Sequence, residues 1–253
     1  MSVVLHPPKA VYSWRHIPSW MLLTLAAGSV NAGAFLACER YVSHVTGTAM
    51  RVGLNSDVES LVAEAVLVLA SFILGAMASV LALEARYRRG KPAAYASPLV
   101  VVALLLIGVA VAGSHGMFGP FGGSVEALND LVLVSILSFA MGLQNAAVAT
   151  ATGMAVRTTH LTGPATDFGV HLATALCVQG EERKASLRAA ALRGGKIIAF
   201  VAGAALMVPL AQIANYTAFV IPAAAVLVAA ALSFVPERKP ASPPVSSDAQ
   251  PAR

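Results

Sequence analysis

One element is written twice in this chain, and each copy follows a long apolar run. His44-Val45-Thr46-Gly47 and His160-Leu161-Thr162-Gly163 share an H-x-T-G pattern, and the likeness extends to both sides of it. Gly28-Ser29-Val30-Asn31-Ala32 precedes the first copy and Gly142-Leu143-Gln144-Asn145-Ala146 the second. Gly53 stands six residues after Gly47, and Gly169 six after Gly163. The gap from Asn to His differs by two residues between the copies, as diverged halves would show. An internal duplication inside an apolar chain is a transporter-like signature.

The apolar runs are long enough to cross a bilayer, which takes about 20 residues. Six are read, at 18–38, 61–83, 97–113, 129–151, 189–209 and 212–235, the last two separated by a tight turn near Pro209. Composition agrees, since 57% of residues are hydrophobic and 11% charged, against about 25% charged in soluble domains. The first run starts too far into the chain, and lacks the small-residue cleavage site, to be a removable signal peptide. The expected class is therefore all-α, a polytopic membrane protein.

Basic residues set the expected orientation. Lys9 and Arg15 precede the first run; Arg86, Arg88, Arg89 and Lys91 follow the second. Arg183, Lys184, Arg188, Arg193 and Lys196 surround the start of the fifth, and Arg238, Lys239 and Arg253 follow the sixth. The connection between the third and fourth runs has no Lys or Arg. All these clusters share one side if both termini are cytoplasmic. The net charge of +5 is thus an orientation signal, and a nucleic-acid partner is not expected.

Three spans per half is an odd number, so the second half enters the membrane upside down. The expectation is two inverted three-helix repeats, residues 18–113 and 129–235, joined by a loop at 114–128. A cytoplasmic tail, 1–17, precedes them and a disordered Pro- and Ser-rich tail, 236–253, follows. The stretches Glu39 to Ser60 and Gly153 to Leu187 are too polar to be spans and too long to be turns. Each H-x-T-G element is expected to begin a broken or re-entrant helix whose N-terminus points inward, with Thr162 as N-cap and Pro164 in the first turn. Free backbone N–H groups and the dipole would attract a polar or anionic solute there.

The expected solute-binding residues are Asn31, His44, Thr46, Gly47, Gln144, Asn145, His160, Thr162 and Gly163. Imidazole, hydroxyl and amide groups suit a polar ligand, and the glycines permit close approach. The competing reading has Asn and His joining the repeats by hydrogen bonds and Gly packing helices. Arg51 and Asp167 stand five residues after each Thr and are either a pair or gate, or solvated loop positions. Glu64 either faces a cavity or lies at the outer interface. Cys38 and Cys177 are expected near opposite faces, unbridged. No catalytic, metal or cofactor site is expected: G-x-S-x-G, H-E-x-x-H, P-loop and paired-acid motifs at usable spacing are absent, so the chain is not read as an enzyme.

The G-x-x-N-A run, the H-x-T-G element with its trailing Gly, and Met141-Gly142-Leu143-Gln144-Asn145-Ala146 resemble the YoaK-like bacterial membrane proteins, a family of unknown function. Val42 to Gly47 matches its first signature; Gly142, Gln144, Asn145, Thr162 and Gly163 match its second. The family commonly has another residue where His160 stands, so the likeness rests on the paired Thr-Gly. It covers roughly residues 18–235 and implies a multi-pass inner-membrane protein, with no substrate or catalytic residue attached. The function expected is a transporter or channel for a small polar or anionic solute. The alternative is a non-transporting scaffold, sensor or assembly partner. The lipid bilayer and that solute are the expected partners, and a homo-oligomer is compatible with both readings.

Overall fold

The computed structural model describes residues 4–54, 58–91, 94–123 and 127–234. Helices carry the fold, and no strand occurs among the described residues. In chain order they are α1 (Pro8–Val11), α2 (Ile17–Cys38), α3 (Val45–Leu54), α4 (Glu59–Arg88), α5 (Ser97–Ser114), α6 (Ala127–Ala151), α7 (Thr162–Cys177), α8 (Gly180–Ala214) and α9 (Val220–Ser233). The tail expected at 236–253 lies outside the described residues.

Five segments are long and apolar enough to cross a membrane: Ile17–Cys38, Glu59–Arg88, Ser97–Ser114, Leu128–Ala151 and Gly180–Ser233. The chain is a membrane protein by this measure. The last segment holds two helices, and their directions follow from contacts. Met21 of α2 sits at Gly195 of α8, Gly28 at Phe200 and Gly33 at Met207, so α2 and α8 run parallel. Phe219 also packs at Gly33 while Ser233 bonds Ser19, so α9 runs back the other way. The reversal is at Asn215, with φ 48°, and the short 3₁₀ turn Asn215–Phe219. This corrects the expected turn near Pro209, which lies inside α8. A helix in a membrane bundle tolerates such a proline because neighbours and local adjustment re-satisfy the freed carbonyl.

The innermost helices are α2 and α6. Their most apolar stretches are 67% and 61% buried, against 22% for α4, so α2 and α6 form the core and α4 leaves much of its apolar surface uncovered. Helix α2 lies along α8, and α4 lies along α6. Both crossings are close for the same reason. A Cβ on Gly28 would collide with the backbone carbonyl of Phe200, and one on Gly142 with that of Phe72. Reciprocally, Gly203 faces the Leu25 carbonyl and Gly75 the Phe139 carbonyl. Small residues that let backbones meet are the usual adhesive where no hydrophobic drive separates helix from lipid. Beneath the bundle, residues 4–16 are not a loose tail. The backbone N–H groups of Leu5 and His6 both donate to the Ala151 carbonyl, and Val11 is fully buried.

Helices α3 and α7 do not span. At ~1.5 Å per residue, ten residues cover about 15 Å and sixteen about 24 Å, less than a hydrocarbon core of about 30 Å. Each begins below the end of the helix before it. Ser43 bonds Asn31, which lies seven residues before Cys38, so the chain has returned about 10 Å toward the bundle centre before α3 starts. Thr158 bonds Asn145, six residues before Ala151, and α7 starts correspondingly deep. Left-handed residues turn the chain at both places: Glu39 with φ 56° after α2, and Gly153 and Met154 with φ 58° and 70° after α6.

Candidate functional site

The N-terminal ends of α3 and α7 open onto one cavity of about 760 Å³. Its walls come from both halves of the chain. Gly28, Asn31, Ala32 and Phe35 belong to α2, Phe72 to α4, Asn145 to α6, and Phe200 and Ala204 to α8. Ser43, His44, Val45 and Thr46 enter from one side, and Arg157, Thr159, His160, Leu161 and Thr162 from the other. The walls are mainly apolar and the polar groups converge at the two helix starts, a composition common among small-molecule sites.

Six of the nine expected residues line this cavity: Asn31, His44, Thr46, Asn145, His160 and Thr162. The amides are already engaged. Asn31 donates from Nδ2 to Ala27 O at 2.8 Å and Ser43 Oγ at 2.7 Å, and its Oδ1 accepts from Ser43 N at 3.2 Å. Asn145 Oδ1 accepts from Thr158 N at 2.9 Å. Both amides hold the loop that leads into the next short helix, α3 or α7. Gln144 is fully buried away from the cavity and donates from Nε2 to Leu23 O and Thr158 Oγ1, each at 3.0 Å. It is the one of the three that joins α6 to α2. Gly47 and Gly163 do not line the central cavity; each lies under its own histidine. A Cβ on Gly47 would stand 2.8 Å from His44 Nδ1, and one on Gly163 3.3 Å from His160 Nε2.

The histidines and threonines are the uncommitted groups. Neither His44 nor His160 hydrogen-bonds a described residue, and His44 rests edge-on against Tyr41 with ring centroids 5.7 Å apart. Burial holds the His160 imidazole below its ordinary range, and the positive charges of Lys196 and Arg157 add to this against the opposing Asp167. The Thr46 and Thr162 side-chain hydroxyls likewise have no described partner. Thr162 was expected as an N-cap; it is instead the first helical residue, preceded by Leu161 in helical conformation, and makes no capping bond. The first-turn N–H groups of α3 and α7 lack intrahelical partners by geometry and face the cavity end.

Arg51 and Asp167 occupy neither a mutual pair nor loops. They lie on α3 and α7, and each reaches the next span of its own half. Arg51 Nη1 is 3.8 Å from Glu64 Oε1 on α4, and Asp167 Oδ2 is 3.6 Å from Arg193 Nε on α8. Glu64 also takes a two-pronged bond from Arg40, with Arg40 Nη2 3.1 Å from Oε2. It lines a side cavity of about 220 Å³ with Arg40 and Asp130. The trailing Gly53 and Gly169 have open space where a Cβ would stand, so they pack nothing among the described residues. His115 is exposed, and Cys38 and Cys177 are free thiols, one buried and one exposed.

Sequence reasoning overlooked the aromatic walls and their glycines. Phe72-Ile73-Leu74-Gly75-Ala76 on α4 and Phe200-Val201-Ala202-Gly203-Ala204 on α8 repeat an F-x-x-G-A pattern, the signal that would have found them. Arg157 was also missed, although it stands only three residues before His160.

Residues 19–232 match the family model described as "Protein of unknown function (DUF1275)". The chain belongs to this family. The match agrees with the expected resemblance to an uncharacterised family, while the YoaK-like name has no named relative behind it. No curated protein and no solved structure matches this DUF1275 member.

Proposed function

We propose that the protein is a transporter or channel for a small polar or anionic solute, built from two inverted three-helix repeats, and is not an enzyme. The single observation that carries this is the shared cavity, where two helix starts from different halves of the chain meet with unengaged Thr and His side chains. Inverted repeats with discontinuous helices aimed at a central site are how many transporter folds bind solute. The repeat reading rests on paired contacts. Exchanging α2 with α6, α4 with α8 and α5 with α9 turns each close crossing into the other: Gly28 on Phe200 becomes Gly142 on Phe72, and Gly203 on Leu25 becomes Gly75 on Phe139.

Orientation in the bacterial inner membrane with cytoplasmic termini draws on the basic residues. Arg15 before α2, Arg86 and Arg88 closing α4, and Arg183 and Lys184 opening α8 fall at one end, given that α2 and α8 run parallel. A bilayer and a small solute are the partners this reading needs, and a second copy of the chain is compatible with it. One observation favours the alternative of a non-transporting scaffold: Asn31 and Gln144 spend donors, and Asn145 its acceptor oxygen, on holding the fold.

Thr162→Val separates the two, because it keeps the shape and removes a hydroxyl that bonds nothing described. The transport reading predicts unchanged melting and weaker solute affinity in proteoliposome uptake, by about 2- to 10-fold for a bond of roughly 0.5–1.5 kcal/mol. A drop in melting temperature with uptake unchanged would favour the scaffold.

A further inference from the structure

A buried cation below the central cavity has no counter-charge of its own. Lys196 on α8 is 4% exposed and makes no hydrogen bond or ion pair with a described residue. It lines an inner vestibule of about 170 Å³ together with Arg157, His160, Gly163, Asp167 and Arg193. Three cations thus face one carboxylate, and Asp167 is already committed to Arg193 at 3.6 Å. Arg157 likewise has no described partner. Taking a charge out of water is costly unless it is paired, so a vestibule that keeps the buried Lys196 unpaired, with the exposed Arg157 at its edge, is built for a ligand that brings negative charge. The first turn of α7 adds to the same field, since Gly163 presents the positive end of a sixteen-residue helix.

We propose that this vestibule is a binding site for a small oxyanion, held by Lys196 and Arg157 against the N-terminal turn of α7. Its volume is below the roughly 300–1,000 Å³ of drug-sized ligand pockets, which favours an inorganic oxyanion or short carboxylate over a nucleotide. Arg157 and His160 line both the vestibule and the central cavity. The bound anion is therefore the solute on its route through the protein; that identification rests on the transport reading, and the site itself does not.

The test is calorimetric titration of the full chain in detergent with sodium sulfate and with sodium phosphate, at constant ionic strength. Wild type should bind at least one saturably, and Lys196→Met should weaken that binding at least tenfold. In the absence of anion, Lys196→Met should melt as high as wild type or higher, because an unpaired buried charge has gone. Arg157→Gln, an exposed loop position, should weaken binding several-fold and keeps the test open if the lysine variant fails to fold. Absence of sulfate and phosphate binding to wild type, or unchanged affinity in the variants that fold, would overturn the site. Anion binding without uptake removes the transport reading and leaves the site; uptake of a neutral solute without anion binding does the reverse.

Discussion

His6 shows how a single side chain links the ends of the chain. It is 4% exposed, its Nε2–H donates to the Ser233 carbonyl at 2.9 Å, and the His16 ring packs against it at a tilt with centroids 4.3 Å apart. Burial, then the neighbouring His16 charge, lower its pKa to about 4, although the Ser233 bond works the other way. The unfolded chain takes up this proton first, near the ordinary value of about 6.5. Stability from His6 is therefore complete above pH 6.5 and falls as pH drops toward 4. Thermal melting across that window should show the decline in wild type, and His6→Gln should flatten it while keeping a donor for Ser233. An equal slope in both proteins would assign the acid lability elsewhere. The threonines make the opposite point at this scale. Thr162 looks like a helix cap in sequence, yet the re-entrant chain arrives with Leu161 already helical, which leaves the hydroxyl for the cavity.

The helices themselves were the most legible part of the fold. Apolar runs of span length announced α2, α4, α5 and α6 within a few residues, because lipid demands unbroken apolar surface with its backbone satisfied internally. The short α3 and α7 were legible from the Thr-Gly elements, whose polarity is out of place in a span. Misreading entered where a local signal competes with the bundle. Pro209 reads as a breaker, but neighbours carry it and the chain reverses at Asn215. Arg51 and Asp167 read as a mutual pair or gate, or as solvated loop charges, since nothing local reveals that Glu64 and Arg193 face them from the next helix. The glycine crossings yield a prediction for elements. Gly28→Val and Gly142→Val each drive a side chain into a facing carbonyl, on α8 and α4 respectively. Each should cost about 1–3 kcal/mol or more by forced separation of the helices, seen as a lower melting temperature in detergent. Gly53→Val, in open space, should cost far less. Equal losses at all three positions would mean that the crossings are not what holds α2 to α8 and α4 to α6.

In the molecule as a whole, the N-terminal ends of α3 and α7 meet at a common cavity, which the proposed reading takes as two inverted halves each giving one re-entrant helix start. This demands a particular sidedness. Single cysteines near Arg88 should react with an impermeant reagent from the cytoplasmic face and those near His115 from the outer face; reaction of both from one face would remove the inverted arrangement. The claim at the centre is that Thr46 and Thr162, which open the two short helices, line one solute route. It is tested most directly by flux through proteoliposomes carrying Thr46→Cys or Thr162→Cys, with Cys38 and Cys177 replaced by alanine. The account predicts saturable uptake of a small polar or anionic solute before labelling, and its loss when either cysteine is alkylated. Uptake unaffected by alkylation at both positions, or no uptake of any small polar or anionic solute by the wild type, would contradict it.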